Sequence, residues 1–173
     1  GALCRDGIEY IEVRCIDVSP FASVGLDAQQ IRFMDTFLLY CLLQDSPPCT
    51  SQEQEVMDYN LETIVNRGRE PGLMLKNGTG EQPFVEQANG LLQSMQGIAN
   101  LMDKASQGSN YNSTLRDQEA KVADPELTPS ARVLREMREA NLPFFRLEME
   151  YSKRWADHYR SSPMAAEVVE KLD

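Results

Sequence analysis

The sequence predicts an α+β fold that is mostly α-helical, with β structure concentrated before Phe21. Residues 7–18 are rich in β-branched side chains and alternate with a period of two, which is typical of a strand. After Gly25, apolar residues recur at helical spacing behind capping residues. The hydrophobic fraction of 42% and the charged fraction of 25% are ordinary for a folded domain. We therefore expect about five to seven helices behind a short β region.

The predicted strand runs from Gly7 to Val18 and has no convincing partner strand in the sequence. A single strand leaves its N–H and C=O groups unpaired, and even a two-stranded hairpin is marginal. The pairing strands must come from short segments elsewhere, from another copy, or from a piece of protein that this sequence lacks. We therefore predict a sheet segment in residues 1–24 and a helical region in residues 25–173, which together make one incomplete domain.

Capping boxes start the first two predicted helices. Asp27 precedes Gln30 by three residues, and Thr50 precedes Glu53 in the same way, so each pair can satisfy helix N–H groups reciprocally. Residues 76–80, Lys-Asn-Gly-Thr-Gly, are interpreted as a flexible loop. Further helices are predicted from Val85 to Ser106, up to about Ala123, from Thr128 to Ala140 and after Pro143. The expected apolar faces are Ile31, Met34, Leu38, Cys41 and Leu42; Val56, Leu61, Ile64 and Val65; Leu91, Leu92, Met95, Ile98, Ala99 and Met102; and Phe144, Leu147, Tyr151, Trp155 and Tyr159.

Charge and cysteine content restrict the classes of function. A net charge of −10 disfavours nucleic acid and anionic membrane surfaces as partners. The longest apolar run, Phe37–Leu43, is far shorter than the roughly 20 residues of a membrane span. The four cysteines, Cys4, Cys15, Cys41 and Cys49, show no metal-binding spacing, so we expect free thiols in a reducing cytoplasm.

Glu12 and Arg14 form the candidate site. Residues two apart on a strand project to the same side, about 7 Å apart, and burying these charges without partners is costly. Glu12 suits a hard cation such as Mg²⁺, and Arg14 suits a phosphate or carboxylate that its planar fork binds bidentately. Together they fit a place where a metal–nucleotide complex meets an acidic substrate. The other interpretation is an exposed sheet face on which the two side chains simply pair with each other.

Several separated runs of the sequence point to one family. The first run is long and gap-free, and shorter runs follow in order along nearly the whole chain, weakening after Asn141. They are Ala2-Leu3, residues 7–14, Asp17, Pro20-Phe21, Gly25, Gln29–Asp35, Gly68-Arg69, Pro71–Leu73, Asp124-Pro125, Leu127-Thr128 and Ser130–Arg135. This series resembles the corresponding stretch of the bacterial, proteobacterial-type glutamate–cysteine ligases.

The resemblance implies the C-terminal part of an enzyme that phosphorylates the γ-carboxylate of glutamate with ATP and Mg²⁺, after which the amino group of cysteine displaces phosphate. It also implies that residues 1–24 contribute to a catalytic sheet similar to that of glutamine synthetase. By the same resemblance Glu12 is a magnesium ligand, and Arg14 is the catalytic and substrate-contacting residue that stabilises the transferring phosphate.

The resemblance also defines the expected partners. By the resemblance, most of the family's metal carboxylates and its cysteine-binding residues lie upstream of Gly1, so we expect the isolated chain to be inactive. Its partners would be the missing N-terminal part of the same enzyme and the small molecules glutamate, cysteine and ATP. The alternative is a non-catalytic helical interaction module that docks onto a partner protein. Such a module has no use for Glu12 with Arg14, whereas the ligase needs both.

Overall fold

The structure is a computed structural model that describes residues 5–14, 16–108 and 110–162. The chain divides into two compact units. One is Asp27–Leu147, and the other combines the two ends of the chain, Gly1–Leu26 and Glu148–Asp173.

The described residues are mostly helical, as predicted. The capping boxes at Asp27 and Thr50 are both formed, and each accepts the expected backbone N–H while the side chain three residues later bonds back. Six α-helices, a short 3₁₀ helix and two strands have their full bounds within this part of the chain. They are α1 Ala28–Leu42, α2 Ser51–Arg67, β1 Met74–Asn77, β2 Gly80–Pro83, α3 Phe84–Ser106, α4 Asn110–Ala123, the 3₁₀ helix Pro125–Leu127, α5 Pro129–Ala140 and α6 Phe144–Ser161.

The location of the β structure differs from the prediction. Across the described residues, the paired strands are β1 and β2, which form an antiparallel hairpin, while residues 7–14 and 16–18 carry no strand assignment. The prediction that β structure is concentrated before Phe21 is therefore wrong for this part of the chain, and so is the interpretation of residues 76–80 as a flexible loop. A hairpin needs only a local turn, whereas a lone strand needs partners from elsewhere. Membership of residues 7–18 in a larger sheet stays a prediction.

The hairpin turn is dictated by one glycine. Asn77 pairs with Gly80, which leaves Gly78 and Thr79 as a two-residue loop, and Gly78 has a φ of +60°. A glycine at the first central position is what a type II′ turn requires. The Gly78-Thr79 step between two short strands fits the Gly-first loop of a type II′ hairpin and is the signal that could have revealed it.

The core of unit Asp27–Leu147 lies between α1, α3 and α4. Met95, Ala99 and Leu115 are fully buried, and Leu92 is nearly so. Because these side chains come from facing helices joined by a short turn, local chain connectivity brings the core together. The partly buried residues packed against it are Phe33, Phe37, Tyr40, Tyr111 and Val122.

Helix α1 buries a different face from the one predicted. Phe33, Phe37 and Tyr40 pack on the core, whereas Ile31 and Leu42 of the predicted face are exposed. The helix is apolar on almost every side, so its periodicity does not select one face. Side-chain size and the fit against α3 and α4 decide instead.

Two buried threonines fix α1 in place. Thr114 of α4 is fully buried, and its Oγ1 donates a hydrogen bond of 2.7 Å to the carbonyl oxygen of Gln29. Thr36 is also fully buried and donates to the carbonyl oxygen of Arg32 at 2.8 Å, with the Met102 sulfur 3.8 Å away. A buried hydroxyl without a partner is costly, so these bonds define the packing as well as stabilise it.

Asp103 caps α4 from the neighbouring helix α3. Its carboxylate is buried and accepts hydrogen bonds from the backbone N–H groups of Tyr111 and Asn112, at 2.8 and 3.0 Å, and from the Asn112 side-chain amide at 2.6 Å. Gln96 bonds to the same amide group of Asn112. Burial raises the pKa of Asp103, but these hydrogen bonds and the nearby charge of Arg116 outweigh it, so the pKa lies below its ordinary value.

The hairpin is attached to α2 through one amide side chain. Asn60 Nδ2 donates to the carbonyl oxygen of Lys76, and the backbone N–H of Lys76 donates to Asn60 Oδ1, both at 2.9 Å. The Lys76 ammonium lies 3.8 Å from the centre of the Tyr59 ring. Leu73 and Leu75, before and within β1, are buried.

Candidate functional site

The described part of the candidate site is a segment of extended chain followed by a closed loop. The loop spans Ser19 to Gly25: the Ser19 N–H donates to the Gly25 carbonyl oxygen at 2.8 Å, and the Gly25 N–H donates to Ala22 at 3.0 Å. Gly25 has a φ of +80°, and a Cβ there would lie 2.8 Å from a Val18 methyl carbon. Any side chain at position 25 would therefore disrupt the loop that ends the segment.

Two aromatic residues of α6 hold this loop. Trp155 Nε1 donates a hydrogen bond of 3.0 Å to the Pro20 carbonyl oxygen. Phe21 meets Tyr151 edge to face, with ring centroids 5.4 Å apart and an angle of 88° between planes. The predicted α6 stripe is therefore real at Tyr151 and Trp155, but Phe144 at the start of the helix is exposed. The carboxyl end of the segment is thus fixed by contacts that lie some 130 residues away in the sequence.

The segment itself is apolar yet exposed. Ile8, Tyr10 and Ile11 expose 72%, 76% and 62% of their surface, and Val18 exposes 81%. These residues lie on both faces of the extended chain. Because isolated exposed apolar residues are common but a run of them is not, the segment has the composition of an interior strand without the neighbours of one.

Glu12 and Arg14 do lie side by side, as the strand spacing predicts. Arg14 Nη2 donates to Glu12 Oε2 at 2.6 Å, and the side chains are 81% and 53% exposed, respectively. An exposed pair of this kind contributes little to stability. The remaining guanidinium donors and the second carboxylate oxygen are accessible to solvent or to a ligand.

Metal binding by this chain alone would rest on Glu12. Among the residues the structure describes, no group of three or more His, Cys, Asp or Glu side chains is placed to hold a metal ion. Mg²⁺ sites commonly use one or two carboxylates together with water and substrate phosphates. The exposed Glu12 carboxylate therefore fits as one ligand of such a site and is insufficient as a complete one.

Two of the other sequence runs, Gly68-Arg69 and Ser130–Arg135, contribute residues to a separate cleft. Gly68 and Arg69 lie opposite Glu126 and Ser130 around a cavity of about 570 Å³. Arg69 is 3.6 Å from the Glu126 carboxylate, and Arg67 beside it pairs with Glu70 at 2.7 Å. Both arginines already face carboxylates, so the cleft joins two parts of the unit and shows no unopposed positive charge.

The cysteine prediction is tested at two positions. Cys41 and Cys49 are free and exposed, whereas Cys4 and Cys15 lie outside the described residues. No helix in the described part of the chain is both long and apolar enough to cross a bilayer.

Comparisons with known proteins agree with one another. The family model described as glutamate-cysteine ligase matches residues 1–64. The glutamate–cysteine ligase of Azotobacter vinelandii is 41% identical over 166 residues, which are 96% of this chain and 31% of that protein. That of Pseudomonas paraeruginosa is 40% identical over 172 residues, 99% of this chain and 32% of that protein.

A solved structure gives the same result for the fold. The crystal structure of the Francisella tularensis glutamate–cysteine ligase, in complex with AMP, aligns with a TM-score of 0.84 and 28% identity. The alignment covers 99% of this chain and 33% of that one. The chain therefore spans about a third of the length of the relatives it matches.

Proposed function

Since the chain belongs to the bacterial glutamate–cysteine ligase family, we propose that it is the C-terminal third of an enzyme that joins glutamate to cysteine at the expense of ATP. The observation that carries this proposal is the segment 7–18. It is apolar on both faces, exposed, and interrupted by an ionisable pair. A segment of this kind is explained if strands from the rest of the enzyme cover it and make it part of a catalytic sheet.

ATP, glutamate and cysteine are the proposed small-molecule partners, and Mg²⁺ is the proposed metal. The presence of AMP in the related Francisella tularensis ligase supports a nucleotide site in the family. The two exposed free thiols, Cys41 and Cys49, support a reducing compartment such as the cytoplasm.

Glu12 and Arg14 have separate roles in this proposal. Bound magnesium–ATP would supply the phosphoryl group that activates the γ-carboxylate of glutamate. Glu12 offers a hard oxygen ligand to the metal, and Arg14 directs its planar donors at the phosphoryl oxygens, where negative charge is concentrated. Because their mutual ion pair is exposed, exchanging it for these ligands costs little free energy.

The test is steady-state phosphate release by the full-length ligase that contains this chain, with glutamate, cysteine and ATP at varied Mg²⁺. Glu12→Gln keeps the shape but removes a charge, so turnover should fall steeply and recover partly at high Mg²⁺. Arg14→Lys keeps the charge but loses the fork, and turnover should fall by about 10²–10³. Glu9→Gln is the matched control, because Glu9 lies on the opposite face of the same segment, and it should leave turnover unchanged.

Three results bear on the assignment. Near-normal turnover of Glu12→Gln at low Mg²⁺ would end the metal-ligand role. Equal losses in all three variants would indicate a structural role for the segment. The chain without the rest of the enzyme should show no turnover, since positioning by several groups is needed at once. Robust turnover by the chain alone would contradict the proposal that the site is shared.

A further inference from the structure

Helix α2 carries an apolar stripe that its own unit does not cover. Its inner face is attached to the hairpin through Asn60, and Thr63 on the same side of the helix is buried. Its next face presents Met57, Leu61, Ile64 and Val65, which are 49%, 65%, 40% and 73% exposed. These positions follow the i, i+4, i+7, i+8 spacing of a single helix face. The stripe is therefore a coherent surface and not a scatter of exposed residues.

The stripe is extended at the amino end of α2. Met57 also lines a groove of about 770 Å³ between the α1–α2 connection and the hairpin turn. Pro47, Pro48 and Val56 contribute its apolar walls. From Met57 to Val65 the helix advances about 12 Å, so groove and stripe together run along most of the helix. Contiguous exposed apolar surface of this extent marks an interaction site.

The stripe is bordered by acidic residues on the side away from the hairpin. Continuing around the helix from Val65 come Asp58, Glu62 and Glu55, all exposed. A partner for this surface therefore needs an apolar centre and a basic flank. A second copy of this chain would be a poor match, because a two-fold interface places the same patch on both sides and would bring these carboxylates together.

We infer that the stripe Met57, Leu61, Ile64 and Val65 is the docking surface for the part of the ligase that this chain does not contain, through a segment with an apolar centre flanked by Lys or Arg. The relatives are about three times longer than this chain, so a large remainder is available to cover it. The family model's match runs from residue 1 through Ile64 and so includes the candidate site and most of α2, up to the third residue of the stripe. This inference rests on the proposed function.

The experiment measures maleimide labelling of Leu61→Cys and of Val65→Cys in the full-length ligase, with sites located by peptide mass spectrometry. The matched control is Glu119→Cys, at an exposed position of α4. Labelling of both stripe positions should be at least about tenfold slower than the control, because it then requires a local opening. In the 173-residue chain alone, all three should label at similar rates.

Labelling of the stripe at the control rate in the full-length ligase would overturn the docking surface. Protection that grows with protein concentration would also overturn it, in favour of a second copy. Phosphate release measured on the same unlabelled samples distinguishes failure of the docking surface from failure of the proposed function. A stripe that labels freely in an active enzyme defeats only the docking surface, whereas a protected stripe in an inactive enzyme defeats only the ligase assignment.

Discussion

The helical core and the amino-terminal segment of this chain both contain apolar and ionisable side chains, but the core buries them and the segment leaves most of them exposed. Around Met95 and Leu115, side chains are fully buried, and buried polar groups such as Asp103 have their hydrogen bonds supplied by neighbouring helices. In residues 7–18, apolar side chains are mostly exposed and Glu12 and Arg14 have only each other. The core buries its side chains within this chain, whereas the described part of the segment leaves its apolar side chains exposed.

Stability and the proposed chemistry are thus assigned to separate parts of the molecule. The buried core residues include no candidate catalytic group, and within the described part of the chain the segment with Glu12 and Arg14 is bonded at the loop Ser19–Gly25. Phosphoryl transfer depends on positioning by a rigid surrounding. The chain can therefore fold its core without forming a working site.

The largest expected effect is in the core. Leu115→Ala removes a fully buried side chain from the α1, α3 and α4 interface, and the free energy of unfolding should fall by about 2–5 kcal/mol. Urea denaturation followed by circular dichroism measures it. Leu101→Ala on α3 is the matched control, because Leu101 is largely exposed. Equal effects at the two positions would show that the core is not where the structure places it.

A smaller effect is expected at the cap of α4. Asp103→Asn keeps the shape but removes the negative charge of the carboxylate whose oxygens accept hydrogen bonds from the Tyr111 and Asn112 N–H groups. The free energy of unfolding at pH 7 should therefore fall by about 1–2 kcal/mol. The control is Glu119→Gln, at an exposed position of α4, which should change the free energy of unfolding little.

The stability difference between wild type and Asp103→Asn should depend on pH in a direction that follows from the pKa shift of Asp103. The folded-state pKa of Asp103 lies below its unfolded value of roughly 3.9. Its stabilisation is therefore complete above that pH and is lost as the pH falls through the folded pKa. The difference between wild type and Asp103→Asn, measured by denaturation across this range, should shrink below about pH 4. A constant difference would rule out the charge as its source.

The smallest effect is expected in the segment. Ile11→Ala in the 173-residue chain should change the free energy of unfolding by no more than about 0.5 kcal/mol, because the side chain is mostly exposed. In the full-length ligase the same change should cost about 2–5 kcal/mol if strands cover Ile11. Denaturation of both proteins makes the comparison, and equal small effects would contradict the incomplete sheet.

The sequence predicted well what local chemistry decides. The capping boxes at Asp27 and Thr50 start their helices because each uses only neighbouring residues. The buried face of α1 was mispredicted because a helix that is apolar on most sides is oriented by its neighbours. The hairpin at Gly78 was missed because its short strands are polar and do not alternate, although the Gly-Thr step of its loop was visible.

At the candidate site, too, the sequence predicts contacts between neighbouring residues but not contacts between distant ones. The spacing of Glu12 and Arg14 predicted that the two side chains lie together, and they do. The contacts of Trp155 with Pro20 and of Tyr151 with Phe21, which hold the end of the segment, were not predicted. A contact between distant parts of the chain leaves no periodic signal in the sequence. In the proposed function, the strands that cover residues 7–18 come from the rest of the enzyme, so this chain's sequence and structure do not supply them.

The side-chain amide of Asn60 limits the addition of a further strand to the hairpin. In this hairpin Lys76 is opposite Glu81, one position from the turn, where the backbone groups face away from the partner strand. Asn60 occupies both of these groups and so acts like a one-residue strand that ends the ladder. An exposed strand edge is a template for aggregation. The amide therefore blocks the outer edge of β1 at Lys76 from pairing with another strand.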